Sequence, residues 1–412
     1  MASSHHHFLF LQGNATWFYR RLGEALVQRG HAVTRINVCG GDRHFWGDWQ
    51  AIDWRGGESG FGAFIAAEMA ARGIDSVILF GDCRPLHRAA LEQARQRGAA
   101  IWVFEEGYLR PHWVTLEREG VNGYSRLPSN ADWYRKTARD LPPTPTPRPV
   151  GTGLWRRIWY DFRWQITNYL APKRYPDYRT HRPYPIWAEY ASWATRLATL
   201  RWRQAQALRV VSTLEAEGTP FYLFPLQLDT DAQIRVHSRF GGMMAAIETV
   251  LKSFAADAPM TARLVIKNHP LDNGWINYRR RIGQRAKALG IDTRVHFIDG
   301  GDLNTLIDQA RGIVTVNSTV GMTALERGRP VICLGRAIYN IPGLTFTGPL
   351  QAFWREASSP DLALFEDFIA VVRAACLING NFYTPEGIAI AVENSLPRLE
   401  GDRDLLATAP SP

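Results

Sequence analysis

Several features that would assign this 412-residue chain to a class at once are missing from it. It has no run of about 18 apolar residues, so no segment predicts a transmembrane helix. Its four cysteines (Cys39, Cys83, Cys333 and Cys376) are widely separated, without CxxC or Cys/His pairing, which favours a reducing compartment and argues against a structural zinc site. The opening Met-Ala-Ser-Ser-His-His-His lacks the basic and long apolar regions of a signal peptide. We interpret it as a polar leader outside the fold.

The composition is that of a globular chain, with 46% apolar and 21% charged residues. A chain this apolar has enough surface to bury, which excludes intrinsic disorder. Its length predicts two domains. The net charge of +9 is unevenly spread, because residues 131–210 hold 15 Lys/Arg against 5 Asp/Glu, together with 7 of the 15 Trp. This pattern predicts contact with something anionic and interfacial, for which a membrane surface is favoured over nucleic acid because no nucleic-acid module is recognisable. A solvated insert with no partner stays open as an alternative.

Two series of short apolar runs alternate with helical spacing, which predicts parallel α/β sheets. The first series occupies about residues 8–104 and the second about 220–334. Between them lie a Pro-rich stretch at 141–150, which reads as an extended spacer, and helical spacing at 155–170 and 186–216. We therefore predict an N-terminal domain at 1–210, with a basic aromatic helical insert at about 131–205. The second domain is predicted at 211–412, with helices at its C-terminal end.

Two motifs follow strands of the second domain, where open α/β sheets bind ligands. Lys267-Asn268-His269-Pro270 follows one strand, and Asn317-Ser318-Thr319-Val320-Gly321 lies between another strand and the helix leading to Glu326. A cation, an imidazole and hydroxyls at a helix N-terminus are suited to a nucleotide phosphate. A polar loop and an ordinary helix cap are the alternatives. The two motifs together favour nucleotide binding.

Carboxylates follow a strand in each domain. Glu105 and Glu106 precede Arg110 in the first domain, and Asp231 follows the first strand of the second. Paired carboxylates suit a retaining glycosyl transfer by double displacement, whereas surface ion pairs and loop aspartates explain them nearly as well. Weaker candidates for substrate-facing loops, which ordinary turn chemistry also explains, are Gly13, Asp42, Asp82, Arg84, His87, Gln233, His237 and Ser238.

The motifs Glu105-Glu-Gly-Tyr-Leu-Arg-Pro111 and Val114-Thr-Leu-Glu117 make the chain resemble the capsular polysaccharide biosynthesis/export proteins of the KpsS/LipB type. The resemblance covers most of residues 8–335. It implies a GT-B-like fold, with two Rossmann-like domains and a cleft between them, and a retaining β-Kdo transferase that uses CMP-Kdo. It also implies a phosphatidylglycerol-type lipid acceptor, on which a capsule linker starts. The residues that it assigns to CMP are Lys267, His269, Ser318 and Thr319, and those that it assigns to the sugar are Glu105, Glu106, Arg110 and Asp231.

From the sequence we expect no divalent metal or other cofactor, because no DxD-like site or His/Asp ligand cluster is apparent at a plausible sugar-diphosphate position. We expect a cytoplasmic protein peripherally associated with the inner membrane through residues 150–205, with other capsule assembly proteins as further partners. Another CMP- or CDP-dependent transferase (sialyl or glycerophosphate) and a non-catalytic polysaccharide-binding component of capsule export stay open as alternatives. The nucleophilic carboxylate, the acceptor lipid and the oligomeric state are also left open.

Overall fold

The computed structural model of the protein describes residues 5–143, 145–180, 192, 194–401 and 404–410. The chain forms two compact units. Unit 1 comprises residues 1–127, 140–181 and 370–412, and unit 2 comprises 128–139 and 182–369. Each contains its own β-sheet.

The strands, in chain order, are β1 (His7–Phe10), β2 (Ala32–Asn37), β3 (Ile52–Asp53), β4 (Ser76–Phe80), β5 (Ala100–Glu106), β6 (Trp113–Arg118), β7 (Phe221–Pro225), β8 (Arg263–Lys267), β9 (Val295–Ile298), β10 (Gly312–Thr315), β11 (Val331–Cys333) and β12 (Leu377–Asn379). The helices before β7 are α1 (Phe18–Gln28), α2 (Gly40–Trp46), α3 (Phe61–Arg72), α4 (Pro85–Gln96), α5 (Ala131–Arg139), α6 (Leu154–Leu170) and α7 (Leu200–Ala216). The helices after β7 are α8 (Ala232–Arg235), α9 (Met243–Asp257), α10 (Tyr278–Ala288), α11 (Leu303–Gln309), α12 (Val320–Glu326), α13 (Leu350–Glu356), α14 (Leu362–Cys376) and α15 (Pro385–Glu400).

The sheet of unit 1 has seven strands in the order β12-β6-β5-β4-β1-β2-β3. The β5-β4-β1-β2-β3 part is parallel, as predicted, whereas β6 and β12 pair antiparallel at one edge. Alternate side chains of β1, β4 and β5 enter two apolar clusters, one on each face of the sheet. Burial on both faces explains why these strands are continuous apolar runs in the sequence.

The sheet of unit 2 has five parallel strands in the order β11-β10-β7-β8-β9. Tyr222, Phe224, Leu264 and Ile266 of the central strands pack with α9 and with Trp354 in one core cluster. Two α/β units with mainly parallel sheets therefore confirm the predicted fold class. None of the described helices is long and apolar enough to cross a bilayer.

The division into units differs from the predicted boundaries of 1–210 and 211–412 at the C-terminal end and in the insert. Residues 370–412 belong to unit 1, because β12 extends its sheet beyond β6 and α15 packs its apolar side, including Ile388 and Leu396, into the cluster around β1 and β5. Residues 182–210 belong to unit 2. A contact made from 250 residues away leaves no local pattern in the sequence.

The polar leader also differs from its predicted role. His7 begins β1 and pairs with Ala32 of β2. The His7 imidazole bonds to the Thr34 hydroxyl at 2.8 Å and to the Arg72 carbonyl at 2.9 Å, and the His6 backbone N–H donates to His31 Nδ1 at 3.2 Å. His6 and His7 thus belong to the fold, at the amino-terminal end of the central strand β1.

Candidate functional site

In unit 2 the sheet order reverses between β7 and β10, the kind of place where open α/β sheets bind ligands. Gln227 follows β7 and Asn317 follows β10, and both are buried. The Gln227 amide donates to Asn317 Oδ1 at 3.0 Å and accepts from the Asn317 backbone N–H at 3.3 Å. The Asn317 amide also donates to the carbonyls of Gln233 and His237. Asn317 therefore ties the loop after β10 to the loop after β7.

The Lys267-Asn268-His269-Pro270 motif follows β8, the strand next to β7. Burial lowers the pKa of Lys267, while the charges of Asp299 and Asp302 act in the opposite direction. His269 Nδ1 accepts the Leu271 backbone N–H at 3.0 Å. In a neutral imidazole this places the ring proton on Nε2, which is then a donor. Pro270 is exposed at the turn.

An ion-pair cluster that the sequence did not reveal lies next to this motif, at the end of the neighbouring strand β9. Asp299, which follows β9, pairs with Arg196 through two 3.0 Å contacts and with Arg203 through a third. Arg196 also reaches Asp272 at 3.6 Å. Although burial alone would raise it, the two guanidinium groups hold the pKa of Asp299 below its usual range. Asp299 is thus an ionised neighbour of Lys267.

The Asn317-Ser318-Thr319 turn leads from β10 into α12. Ser318 Oγ accepts the Val320 N–H at 3.2 Å, so this hydroxyl shapes the turn, and the Thr319 side chain makes no cap bond. Gly321 is required here, since a Cβ would lie 2.3 Å from the Tyr339 hydroxyl oxygen. Glu326 is exposed at the far end of α12. The structure therefore brings Ser318 and Thr319 to the sheet edge, but not Glu326.

The loop after β7 carries both aspartates of the Asp229-Thr230-Asp231 segment. Asp229 accepts the Met243 N–H at 2.8 Å and pairs with Arg235 at 3.2 Å, which holds it at the start of α9. Asp231 caps α8 by accepting the Gln233 N–H at 2.9 Å. His237 is buried, and Ser238 donates to the Ile234 carbonyl. The side chains of Asp229, Asp231 and Ser238 thus stabilise the loop after β7 and the helices that follow it.

In unit 1 the sheet order reverses between β1 and β4, and Gln12, Gly13 and Arg84 follow those strands. Arg84 Nη1 donates to Gln12 Oε1 at 2.7 Å and to the Gly13 carbonyl at 3.4 Å. The predicted loops after β1 and β4 are therefore joined directly.

Three other predicted loop residues of unit 1 are buried in internal contacts. Asp42 pairs with Arg35 at 2.8 Å and accepts the Val38 N–H at 3.0 Å. Asp82 accepts the Val121 N–H at 2.9 Å, and His87 Nδ1 bonds to the Gly81 carbonyl at 2.6 Å. A buried carboxylate is retained only with such partners. These contacts make the three residues parts of the scaffold around the sheet edge.

The two glutamates at the end of β5 differ in their surroundings. Glu106 accepts from the Tyr383 hydroxyl and forms an ion pair with Arg157 at 3.4 Å. Glu105 Oε1 accepts the Glu106 N–H at 2.9 Å, and its Oε2 is 3.3 Å from the position of a Cβ on Gly81. Arg110 is exposed and donates to the Gly107 carbonyl at 3.3 Å. Arg157 and Tyr383 come from distant segments, so the sequence motif did not reveal them.

Glu117 anchors the loop between β5 and β6. Its carboxyl is buried and receives hydrogen bonds from Tyr108 at 2.6 Å and Ser125 at 2.5 Å. Burial, opposed by these hydroxyls, raises the pKa of Glu117 to about 7. The Tyr108 oxygen also accepts the Asn122 N–H. The conspicuous Glu-Gly-Tyr-Leu-Arg-Pro motif is thus partly structural, with Tyr108 pointing inward.

Helix α6 has one buried and one exposed side. Trp164 packs against Phe45 of α2, and a Cβ on Gly41 would lie 2.3 Å from the Trp164 ring. Asn168 accepts the Gly41 N–H at 2.8 Å. The other side exposes large apolar groups, with Trp155 81% and Tyr169 79% exposed. The remaining exposed apolar residues of this helix are Leu154, Ile158, Trp159, Phe162, Ile166 and Leu170.

These sheet edges define a two-unit α/β protein with polar loops at its strand ends, and residues 75–383 match the model of a family described as "Capsule polysaccharide biosynthesis protein". The chain belongs to that family. It is 32% identical to the capsule polysaccharide export protein KpsS of Escherichia coli over 91% of this chain and 96% of the relative. It is 33% identical to the capsule polysaccharide modification protein LipB of Neisseria meningitidis serogroup B over 93% of each. These matches confirm the resemblance found in the motifs.

Among solved structures, the chain is similar to Thermosulfurimonas dismutans KpsC, a beta Kdo 2,7 transferase. The sequence identity is 14% and the TM-score is 0.46, over 96% of this chain and 100% of that chain.

Proposed function

We propose that the protein is a retaining β-Kdo glycosyltransferase that moves Kdo from CMP-Kdo to a phosphatidylglycerol-type acceptor and so starts a capsule linker. Membership in the capsule polysaccharide biosynthesis family supports a role in making this polymer. The observation that carries the proposal is the set of polar side chains at the strand-order reversal of unit 2, with Lys267 at the end of the adjacent strand β8.

In this proposal the donor nucleotide binds at this edge of the sheet of unit 2. Lys267 supplies the cation for the phosphate of CMP, and His269 Nε2–H and the Ser318–Thr319 turn supply donors. Ser318→Ala and His269→Ala each weaken CMP binding by about 1–3 kcal/mol, measured by calorimetry. Lys267→Met weakens it as well, whereas Lys252→Met, at a side chain 59% exposed, leaves it unchanged. Unchanged CMP affinity in the Ser318 and His269 variants would refute the assignment.

In the proposed double displacement, one carboxylate acts as the nucleophile and another as the base. Asp231 attacks the anomeric carbon of Kdo and CMP departs with the bonding electrons. The acceptor hydroxyl then attacks the same carbon, its proton passes to a glutamate, and the Asp231 carboxylate is released. Asp231 is proposed as the nucleophile because the loop that carries it follows β7, the first strand of the nucleotide-binding unit. Glu105, at the carboxyl end of β5, is proposed as the base.

Intact-protein mass spectrometry tests this division of roles. Glu105→Gln incubated with CMP-Kdo accumulates a Kdo adduct that peptide mapping assigns to Asp231. An adduct on Glu106 would reverse the roles, and no adduct in any variant would indicate a same-face mechanism. The exposed Arg110 is proposed to hold the carboxylate of the donor sugar, so Arg110→Ala raises the donor KM while Arg110→Lys restores part of it. No divalent metal is proposed, and activity lost with EDTA and restored by magnesium would contradict this.

The proposed membrane contact is the exposed side of α6. At about 100° per residue, its exposed apolar residues fall within an arc of about 160°, and Arg156 and Arg163 border that arc. Tryptophan and tyrosine favour the headgroup level of a bilayer, and arginines are attracted by anionic lipids. An in-plane amphipathic helix binds in this way. This would hold the protein at the cytoplasmic leaflet of the inner membrane, where the lipid acceptor lies.

The deciding experiment incubates the full chain with CMP-Kdo and lysophosphatidylglycerol and measures the lipid mass. A gain of one Kdo residue supports the proposal. CMP-sialic acid as donor, and reactions without the acceptor, are the controls. The word "export" in the name of the Escherichia coli relative favours a second candidate, a non-catalytic polysaccharide-binding component. Binding of Kdo polymer without CMP binding or transfer would select that function.

A further inference from the structure

A cavity of about 510 Å³ opens at the carboxyl ends of β1 to β4 in unit 1. Gln12 and Arg84 line it at the strand-order reversal, and Trp54 lines it after β3. The segment after α6 adds Tyr178 and Arg179. The volume lies in the range of small-molecule sites. Because it lies at the strand-order reversal of this sheet, it is the ligand-binding crevice expected for unit 1.

The inner wall and the rim of the cavity differ in charge. The inner wall is formed by the buried Gln12 and the half-buried Trp54, Tyr178 and Arg84. Of these four side chains only Arg84 is charged, so the inner wall carries one positive charge. Among the residues that the structure describes, no carboxylate lies within ion-pair distance of Arg84, whereas the buried Arg35 is neutralised by Asp42. The charges at the rim are exposed: Glu58, Asp177 and Arg179. Exposed charges are screened by solvent, so the inner wall favours an anion.

We propose that this cavity binds the glycerol-phosphate headgroup of the acceptor, with the guanidinium of Arg84 on the phosphate. The identity of the acceptor rests on the proposed function, whereas the anion-binding inner wall does not. Arg84 is already oriented, since its Nη1 donates to Gln12 Oε1 and to the Gly13 carbonyl, and a guanidinium fork suits a phosphate. Glu58 and Asp177 at the rim accept hydrogen bonds from glycerol hydroxyls.

The cavity is also close to the proposed base. Arg84 follows β4, and Glu105 lies at the carboxyl end of the adjacent strand β5. Glu105 Oε2 is 3.3 Å from the position of a Cβ on Gly81, in the same loop after β4 as Arg84. A headgroup held at its phosphate by Arg84 can therefore present a hydroxyl toward the end of β5. The site selects an acceptor with an anionic group next to a free hydroxyl.

Calorimetric titration of the full chain tests the site with three probes: glycerophosphoglycerol, inorganic phosphate and glycerol. We expect glycerophosphoglycerol to bind most tightly and neutral glycerol not at all. Arg84→Ala weakens binding at least about ten-fold, and Arg84→Lys recovers part of it. Arg88→Ala, an exposed arginine on the same helix that does not line the cavity, binds as wild type. Glu58→Gln weakens glycerophosphoglycerol but leaves inorganic phosphate unchanged.

Absence of binding by wild type, or wild-type affinity in Arg84→Ala, would overturn the proposal. Equal affinity for phosphate and glycerophosphoglycerol would overturn the proposed contacts with the glycerol hydroxyls. A rise in the KM for CMP-Kdo instead of the lipid in Arg84→Lys would assign the arginine to the donor and also overturn it. Phosphatidylglycerol in nanodiscs, competing with the free headgroup, identifies the lipid as the source. CMP binding is measured on the same preparations, so a failed transferase assignment is distinguishable from a failed headgroup site.

Discussion

The two helical stretches that carry the basic and aromatic surplus of the chain use it in opposite ways. In α6, within 154–170, aromatic and aliphatic side chains point outward with Arg156 and Arg163 beside them. In 194–216 the key arginines point inward, where Arg196 and Arg203 pair with Asp299. Arginines therefore border an exposed surface in one stretch and form a shielded ion-pair cluster in the other. Composition reports how many charges a segment has, but not what neutralises them.

This contrast narrows the predicted membrane segment of 150–205 to α6. Arg174, just after that helix, is paired with Asp53 and is not available to a lipid surface. Residues 181–191 and 193, which the same prediction included, lie outside the described part of the chain. The exposed apolar arc and its two arginines are what the membrane proposal now depends on.

Asp299→Asn has the largest expected effect, because it removes the carboxylate shared by Arg196 and Arg203, whose side chains and that of Asp299 are only 11–12% exposed. Breaking such a pair costs about 3 kcal/mol, which hydrogen exchange in β8 and β9 measures as lost protection. Asp308→Asn is the matched control, since its pair with Arg327 is solvent-exposed and contributes below about 1 kcal/mol. Equal losses in both variants would erase the distinction between buried and surface charges.

The pH dependence of stability tests the same ion pair. The pKa of Asp299 is held below its usual range, so its contribution is fully present above the unfolded pKa of about 3.9 and is lost as pH falls through the folded pKa. The difference between wild type and Asp299→Asn should therefore be constant from pH 5 to 8 and shrink below about pH 4. A difference that shrinks already near pH 6 would contradict this.

The next largest effect is expected at the α6 surface. Trp155→Ser with Trp159→Ser should lower partitioning into phosphatidylglycerol vesicles by about 2 kcal/mol, or roughly thirty-fold. Sedimentation with vesicles measures it. The paired control is Trp202→Ser with Leu208→Ser, which removes exposed apolar groups of α7 and should change partitioning little. An equal loss of partitioning in both double variants would indicate that the membrane contact extends over the basic segment as a whole and is not confined to α6.

Single arginines of α6 have a smaller effect on binding. Arg156→Gln or Arg163→Gln should weaken vesicle binding by about 1 kcal/mol each at low salt, and the difference should fade as salt rises. Arg196→Gln should leave vesicle binding unchanged and lower stability instead. Equal binding of wild type to neutral and anionic vesicles would refute the electrostatic part.

The smallest effect concerns the pH dependence of CMP binding. Because burial lowers the pKa of Lys267, the side chain loses its proton at a lower pH than an ordinary lysine near 10.4. CMP affinity should therefore begin to fall, by a few-fold, as pH rises toward 9. Lys267→Arg, which stays charged, should show a flat profile. A CMP affinity of the wild type that does not change with pH would indicate that Lys267 does not contact the phosphate.

The repeating strands and helices could be predicted because they depend on local patterns: apolar runs for strands buried on both faces, and helical spacing for α1, α3 and α9. The short β3 and β12 have no such run. The strand-end placement of Lys267, Asn317 and Glu105 also followed from sequence, since side chains just after parallel strands share one sheet edge. Which of these side chains are engaged by neighbours did not follow. Asp42 and Glu106 look alike as loop carboxylates until Arg35, Arg157 and Tyr383 are in position.

The sequence by itself determined the two α/β units, the family and the position of the polar motifs, because each rests on residues near one another in the chain. Only the tertiary structure decided that residues 370–412 complete unit 1, that Asp299 neutralises Arg196 and Arg203, and that Arg84 lines a cavity. Each of those facts is a contact between segments far apart in sequence. The charge, burial and pKa of a side chain depend on such contacts, and so does its chemistry.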